Sequence, residues 1–252
     1  MTADLQTGIL VGMIILARVS TFLAVIPLAS AARVPQSIRA YLALGLAMTL
    51  TPILFDAVAP KVRTATGADL LLLLGAEVLI GLFLGFLLRL FFLALLFVAE
   101  VISQIIGYTG MSTPGIIENE LMAPLTNLVA ILSVVMMFAY DVHHLFIEHI
   151  LWSYSHLPAG VALTAEASSD WLRDTITRVF SAVVPLSAPF LVYAVICNVL
   201  VGMANRLVPQ VPIQLVTGPA ILFGGLIVGL LVLAVGVDPI MQNFAASIIV
   251  GE

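Results

Sequence analysis

Charged side chains are scarce in this sequence of 252 residues: 9% are Asp, Glu, Lys or Arg, whereas 62% are hydrophobic. Soluble globular domains carry about 25% charged residues, because a water-facing surface needs them. A chain with so little charge cannot cover a soluble globule with polar groups, so most of its surface must meet lipid or other protein. The composition therefore predicts an integral membrane protein.

Cysteine, basic clusters and catalytic motifs are also lacking. The single cysteine, Cys197, lies in an apolar run and excludes a disulfide framework within the chain. The net charge is −5, and no basic patch interleaved with aromatic residues is present, which argues against a nucleic-acid partner. The sequence has no Gly-rich phosphate loop, nucleophile elbow or Walker motif. We therefore expect no catalytic residues and no cofactor.

Long hydrophobic runs are the main positive feature. About 20 apolar residues at a rise of about 1.5 Å cross a hydrocarbon core of about 30 Å. All such runs are predicted to be helical, because lipid offers no water to the backbone polar groups. The predicted fold is thus an all-α membrane protein whose long, partly broken helices form hairpins. Six segments meet the criterion, at about residues 5–31, 39–59, 68–99, 121–140, 176–204 and 213–237.

The stretch from about Ile106 to Glu120 interrupts this pattern. Its glycines and prolines make it too irregular for a helix, yet it is too apolar for a simple solvated loop. Irregular backbone at membrane depth is tolerated only where protein encloses it or where it lines a cavity. We therefore expect this segment to lie inside a protein-enclosed space.

The stretch 141–174 contains all four histidines, and we expect it to form an external amphipathic hairpin. The spacings match neither His-Glu-x-x-His nor a Glu-x-x-His pair, so the residues are interpreted as a solvated surface and no metal site is predicted. The groups considered were Asp141, His143, His144, Glu148, His149 and His156.

Four charges lie within or beside apolar segments: Arg18, Glu77, Arg89 and Glu100. A lone charge near the bilayer centre costs about 2.5–3.5 kcal/mol on insertion scales, so each should be paired or face water or protein. Either glutamate is a candidate proton-relay carboxylate. Pairing with arginines on neighbouring helices or subunits is the favoured interpretation, because acids and bases are nearly balanced. On α-helical spacing Glu77, Gly81, Gly85 and Arg89 form one stripe, whose glycines permit close helix approach.

Three segments resemble the FliR/SctT family of type III export-gate subunits. The first is Ala32-Arg33-Val34-Pro35-Gln36-Ser37-Ile38-Arg39, followed by Leu44-Gly45-Leu46-Ala47-Met48 and Thr51-Pro52. The second is Glu100-Val101-Ile102-Ser103-Gln104-Ile105-Ile106-Gly107 and the third is Asn205-Arg206-Leu207-Val208-Pro209-Gln210. Their order and spacing fit the family over essentially the whole chain.

This resemblance implies a non-enzymatic subunit of the flagellar protein export gate. In the family, a single copy joins FliP and FliQ in a helical assembly around a channel through which unfolded flagellar proteins cross the bacterial inner membrane. FlhB and FlhA are further implied partners, besides the unfolded substrates and membrane lipid. The implied location is the flagellar basal body in that membrane.

The resemblance also implies two parts and two groups of functional residues. Residues 1–175 would be FliP-like and include the plug loop of the channel, and residues 176–252 would be a FliQ-like hairpin with a short C-terminal tail. The expected plug-loop residues are Gly107, Tyr108, Gly110, Met111, Pro114, Gly115 and Glu118. The expected subunit contacts or buried charges are Arg18, Arg33, Arg39, Glu77, Arg89, Glu100 and Arg206.

Other functions remain open at this point. An injectisome export-gate subunit is the close alternative, since both systems share the family. A secondary transporter for a small solute is the alternative from another class, and the Pro185/Pro189 and Gly218/Pro219 pairs are compatible with its broken helices. An intramembrane enzyme is disfavoured, because no nucleophile–base or metal constellation can be assembled.

Overall fold

A computed structural model describes residues 2–26, 34–106, 113–114, 121–161, 164–207 and 217–232. Nearly all of this backbone is helical, which confirms the predicted all-α fold. The described strands, of two residues each, pair in an antiparallel ladder. In chain order the elements are α1 (Thr2–Val25), α2 (Gln36–Thr64), α3 (Gly67–Ile105), β1 (Thr113–Pro114), β2 (Leu121–Met122), α4 (Pro124–Ala139), α5 (Val142–His156), α6 (Ala165–Leu207) and α7 (Thr217–Val232).

Helices lie at all six positions that the hydrophobic runs predicted. Their ends differ: α3 continues to Ile105, and α6 begins at Ala165, well before the predicted start at 176. Within the described ranges, four helices are long and apolar enough to cross a membrane, namely α1, α2, α3 and α6. The fourth predicted segment, α4, has only 16 residues, because the chain turns at Asp141 with a left-handed φ of 55°. That segment alone is too short to span the bilayer.

Prolines lie inside two of the long helices without ending them. α2 contains Pro52 and Pro60, and α6 contains Pro185 and Pro189, where the sequence had been compatible with a break. Transmembrane helices tolerate proline because neighbouring groups satisfy the freed backbone. α2 starts after Pro35, and its last turn carries Lys61 and Arg63, whose positive charge favours a helix C-terminus.

The described chain forms two compact units, and both α3 and α6 contribute to each. Residues 2–90 and 141–175 belong to the first unit. Its core is built on α1, where Val11, Ile15, Val19 and Phe22 are fully buried. α1 packs against α2, and Phe22 also meets Phe146 of α5 edge-to-face, with ring centroids 6.4 Å apart.

Residues 91–140 and 176–232 belong to the second unit. Its buried side chains come from the second half of α3, from α4 and from α6, and include Phe91, Leu96, Ala130, Met137 and Phe190. The buried polar residues of this core, Ser103, Thr126, Asn127 and Ser133, are uncharged, whereas the core of the first unit contains the buried charges described below.

The expected external hairpin at 141–174 is wrong for its first half. Residues 142–156 form the helix α5, in which Phe146, His149 and Ile150 are buried. His149 is 5% exposed and lies near the ring of Phe22, so its interpretation as a solvated surface residue is also wrong. His144 and His156 do lie at the surface.

Candidate functional site

A fully buried ion pair joins α1 to α3 in the first unit. Arg18 Nε donates to Glu77 Oε2 at 2.6 Å, and Arg18 Nη2 donates to Glu77 Oε1 at 3.1 Å. Both side chains are 0% exposed. This two-pronged geometry is the strongest form of an arginine–carboxylate contact, because two parallel hydrogen bonds fix the relative orientation of both groups.

Helix α5 and the turn after it form further hydrogen bonds with both members of the pair. Arg18 Nη1 donates to Ser153 Oγ at 2.9 Å, and Nη2 donates to the carbonyl of Leu157 at 3.0 Å. The Tyr154 hydroxyl and the Gly160 N–H each donate to Glu77 at 3.2 Å. The guanidinium carbon also lies 3.7 Å from the centre of the Tyr154 ring, a cation–π contact. We call these six residues the α1–α3–α5 clasp.

The clasp explains why one glycine follows α5. Gly160 has φ +72°, a conformation that other L-residues rarely adopt, and a Cβ at this position would lie 2.8 Å from Leu73. Both the positive φ and the space occupied by Leu73 therefore favour glycine at the position whose N–H donates to Glu77. With every charge in the clasp compensated, the geometry favours a structural role for Glu77 over an isolated proton-relay carboxylate.

The predicted close approach at Gly81 and Gly85 is confirmed. A Cβ on Gly81 would collide with the Arg18 carbonyl oxygen and the Thr21 hydroxyl of α1. A Cβ on Gly85 would lie 2.9 Å from the Phe22 carbonyl oxygen. These two glycines therefore let α3 approach α1 to backbone contact, one and two turns beyond the ion pair.

Glu100 links the end of α3 to the start of α4 in the second unit. Its Oε2 accepts a hydrogen bond of 2.7 Å from the Thr126 hydroxyl and one of 3.3 Å from the Ala123 N–H. Ala123 is the N-cap position of α4 and offers no capping side chain of its own, so Glu100 supplies an acceptor and a negative charge at that helix N-terminus.

The predicted plug loop lies mostly outside the described residues. Gly107, Tyr108, Gly110, Met111, Gly115 and Glu118 all do so. Pro114 is described, in β1, where it pairs with Leu121, and Thr113 pairs with Met122. β2 of the ladder and Ala123, which donates to Glu100, thus lie directly before α4.

The other predicted arginines are not part of the clasp. Arg39 is half-buried, and its Nε donates to the Val34 carbonyl at 3.1 Å. Arg89 is half-buried on α3, and Arg206 is exposed in the last turn of α6. Arg33 lies outside the described residues.

Helices α6 and α7 form a close contact around one tyrosine in the second unit. The Tyr193 hydroxyl donates to the Ile221 carbonyl at 2.7 Å, and the ring packs on Gly224. Gly225, of the predicted Gly225/Gly229 pair, lies against Ile106. A side chain on either of the adjacent glycines, 224 and 225, would collide with these neighbours.

In the described part of the chain, one cluster offers three metal-ligand atoms within 4.8 Å of one another: Asp141, His143 and His144. His144 Nδ1 lies 3.7 Å from Asp141 Oδ1, and both side chains are mostly exposed. The four ligands of a closed structural zinc site are not assembled here. We therefore assign no metal to this cluster.

Sequence reasoning identified Arg18 and Glu77 but missed Ser153 and Tyr154. The available signal was the spacing of Phe146, Ile150 and Tyr154, which places three large residues on one helical face. That periodicity favours a packed helix rather than an external hairpin.

Comparisons with known proteins agree over almost the whole chain. Residues 9–247 match the model of the family described as bacterial export proteins, family 1. The flagellar biosynthetic protein FliR of Caulobacter vibrioides is 32% identical over 234 residues, 91% of this chain and 89% of that protein. The protein of the same name from Aquifex aeolicus is 27% identical over 216 residues, 85% of this chain and 81% of that protein. The resemblance drawn from the three sequence segments is confirmed.

Proposed function

The chain belongs to the bacterial export proteins, family 1, and we propose that it is a subunit of the flagellar type III protein export gate. In this proposal it forms, with FliP and FliQ, the channel through which unfolded flagellar proteins cross the bacterial inner membrane. The observation that carries the proposal is the family match over residues 9–247, combined with helices apolar enough to cross a membrane. Both named relatives are flagellar, which favours the flagellar system over the injectisome.

The role is structural rather than enzymatic. The buried charges of the clasp compensate one another, so they hold helices and do not present a reactive group. FlhB and FlhA are the further partners we propose at the basal body. Residues 1–175 act as the FliP-like part and residues 176–252 as the FliQ-like hairpin.

The direct test is co-expression of the full chain with FliP and FliQ, followed by native mass spectrometry of the detergent-extracted complex. We expect a mixed complex with a single copy of this chain. A monomer or homodimer, under conditions where the partners assemble with the Caulobacter vibrioides protein, would reject the proposal. It would favour a secondary transporter for a small solute instead.

We further propose that residues 107–118 plug the closed channel. The Glu100 contact supports this idea, because it holds the N-terminus of α4, the helix that follows the proposed plug. Deleting 107–118, with a short Gly-Ser linker in its place, should raise the leak of ions through the assembled complex. An unchanged leak in a correctly assembled deletion variant would eliminate the plug.

The contact of Glu100 with the start of α4 can be tested separately from the plug. Glu100→Ala removes the acceptor for Thr126 and Ala123. We therefore expect an ion leak above that of the unmodified complex and below that of the deletion variant. Glu148→Ala is the matched control, since it removes an exposed acid on α5 that takes no part in this contact. Equal leak in the two glutamate variants would show that Glu100 does not position the plug.

A further inference from the structure

A groove in the first unit combines one cation at its mouth with an apolar floor. It has a volume of about 810 Å³, within the range of ligand pockets. Lys61 and Thr64 of α2 and Asp69 of α3 lie at one end. From there the groove continues along the outer face of α3.

The floor of this groove is a trough between leucines. Leu72 and Leu79 are 74% and 61% exposed, and they lie on one helical face with Gly75 and Ala76 between them. A Cβ built on Gly75 meets nothing within 4 Å, so the space above the glycine is open. The trough is thus apolar and unfilled by the described residues.

The cation at the mouth retains donor capacity. Lys61 is half-buried, and its amine donates to the carbonyl of Ala159. An ammonium group has three donors, so two remain for an acceptor in the groove. Within the described residues, no carboxylate forms a salt bridge with Lys61.

The nearby acid is engaged elsewhere. Asp69 accepts hydrogen bonds from the backbone N–H of Thr66 at 2.9 Å and from its hydroxyl at 2.7 Å. Lys61 and Asp69 are the charged side chains that line the groove, and of the two only Lys61 retains donors for an anion.

The length of the groove matches one leaflet of a bilayer. From Asp69 to Leu79 the helix rises about 15 Å. That is half of a hydrocarbon core of about 30 Å. A cation at one end of an apolar trough of this length is complementary to an anionic headgroup with its acyl chain.

We propose that this groove binds an anionic phospholipid, with the phosphate at Lys61 and one acyl chain over Gly75 and Ala76. The site is independent of the proposed export function, since it requires only that the chain resides in a membrane. It would tie the α2–α3 hairpin to the lipid surface.

The test measures lipid binding to the full-length chain, delipidated in detergent, by native mass spectrometry. Phosphatidylglycerol and phosphatidylcholine of identical acyl chains are titrated in parallel. We expect phosphatidylglycerol to bind about fivefold more tightly, the effect of one cation near a membrane surface. Equal binding of the two lipids, or binding of neither, would overturn the proposal.

Charge variants test the mouth. Lys61→Gln should remove the preference for phosphatidylglycerol, and Lys61→Arg, which keeps the charge and can still donate to Ala159, should retain it. Arg63→Gln is the matched control, because it makes the same charge change two residues later at a position that does not line the groove. An equal loss in Arg63→Gln and Lys61→Gln, or a loss of the preference in Lys61→Arg, would contradict a specific site.

A size variant tests the trough without touching the charge. Gly75→Leu places a side chain in the open space, where its Cβ meets no protein atom within 4 Å, and should weaken binding of both lipids. Gly45→Leu is its control, at an exposed α2 glycine whose Cβ also meets nothing within 4 Å. Unchanged binding in Gly75→Leu would overturn the proposal, as would displacement of phosphatidylglycerol by an equal concentration of glycerol 3-phosphate, which lacks the acyl chains.

Discussion

Glu77→Gln is the substitution whose consequence the structure defines most sharply. Gln has nearly the shape of Glu, so the variant leaves the packing in place and removes only the negative charge. The Arg18 guanidinium, which is 0% exposed, then loses its counter-charge. Removing one member of a buried ion pair typically costs about 3–5 kcal/mol. Domains have a total stability of about 5–15 kcal/mol, so the folded fraction should fall measurably.

Two further variants separate the charge from its hydrogen bonds. Tyr154→Phe removes one donor to Glu77 and leaves the pair intact, so we expect a loss of about 1.5–3 kcal/mol, the range for a hydrogen bond to a charged group. In the double variant Arg18→Met with Glu77→Gln, no uncompensated charge remains. It should therefore be more stable than Glu77→Gln alone, although it contains one more substitution.

The assay is thermal unfolding of the full-length chain in detergent, followed by size-exclusion chromatography with fluorescence detection. A double-mutant cycle on Arg18 and Glu77 gives the coupling energy of the pair. If the destabilisation of the double variant equals the sum of the two single variants, the two side chains do not interact. That result would refute the clasp.

Three other predictions concern helix contacts. Gly81→Ala should destabilise the chain by about 1–3 kcal/mol in the same assay, because its Cβ meets the α1 backbone; Gly8→Ala, with open space around it, should not. Tyr193→Phe should cost about 0.5–1.5 kcal/mol through its lost bond to Ile221, and Tyr41→Phe, at a tyrosine that is 74% exposed, should cost nothing measurable. Arg206→Ala should reduce co-purification of FliP and FliQ without lowering the unfolding temperature, and a normal yield of the complex would exclude a contact role for Arg206.

The helical fold could be predicted from the sequence because hydrophobic runs and helix length are local properties. The buried charges were also detectable, since an ionised group within an apolar run always needs compensation. Their partners were not, because Arg18 could pair with either Glu77 or Glu100. That choice depends on which helix faces meet, and Gly81 and Gly85 show that it is α1 that reaches backbone contact with α3.

The stretch around α5 was misinterpreted for a different reason. Its acids and histidines, among them Asp141, His143 and His144, dominated the interpretation of a longer segment. The later part of the helix is apolar on the face that carries Ser153 and Tyr154, both of which are buried. Polar residues on a buried face signal partners in the core, and here those partners are the two ends of the ion pair.

The exposed apolar face of α6 has a different meaning in lipid from the one it would have in water. Only 22% of the residues in its most apolar stretch are buried, against 50% for α3. In a bilayer such a face does not by itself drive association between helices, since lipid tails are as apolar as the valines and leucines they cover. Association in lipid requires close packing or polar anchors, and α1 and α3 use both, through their glycines and their ion pair. On α6 we propose Arg206, exposed in its last turn, as the corresponding anchor. If this end of α6 faced only lipid, the Arg206 side chain could be removed without effect on assembly. If it lies in a subunit interface, assembly requires Arg206.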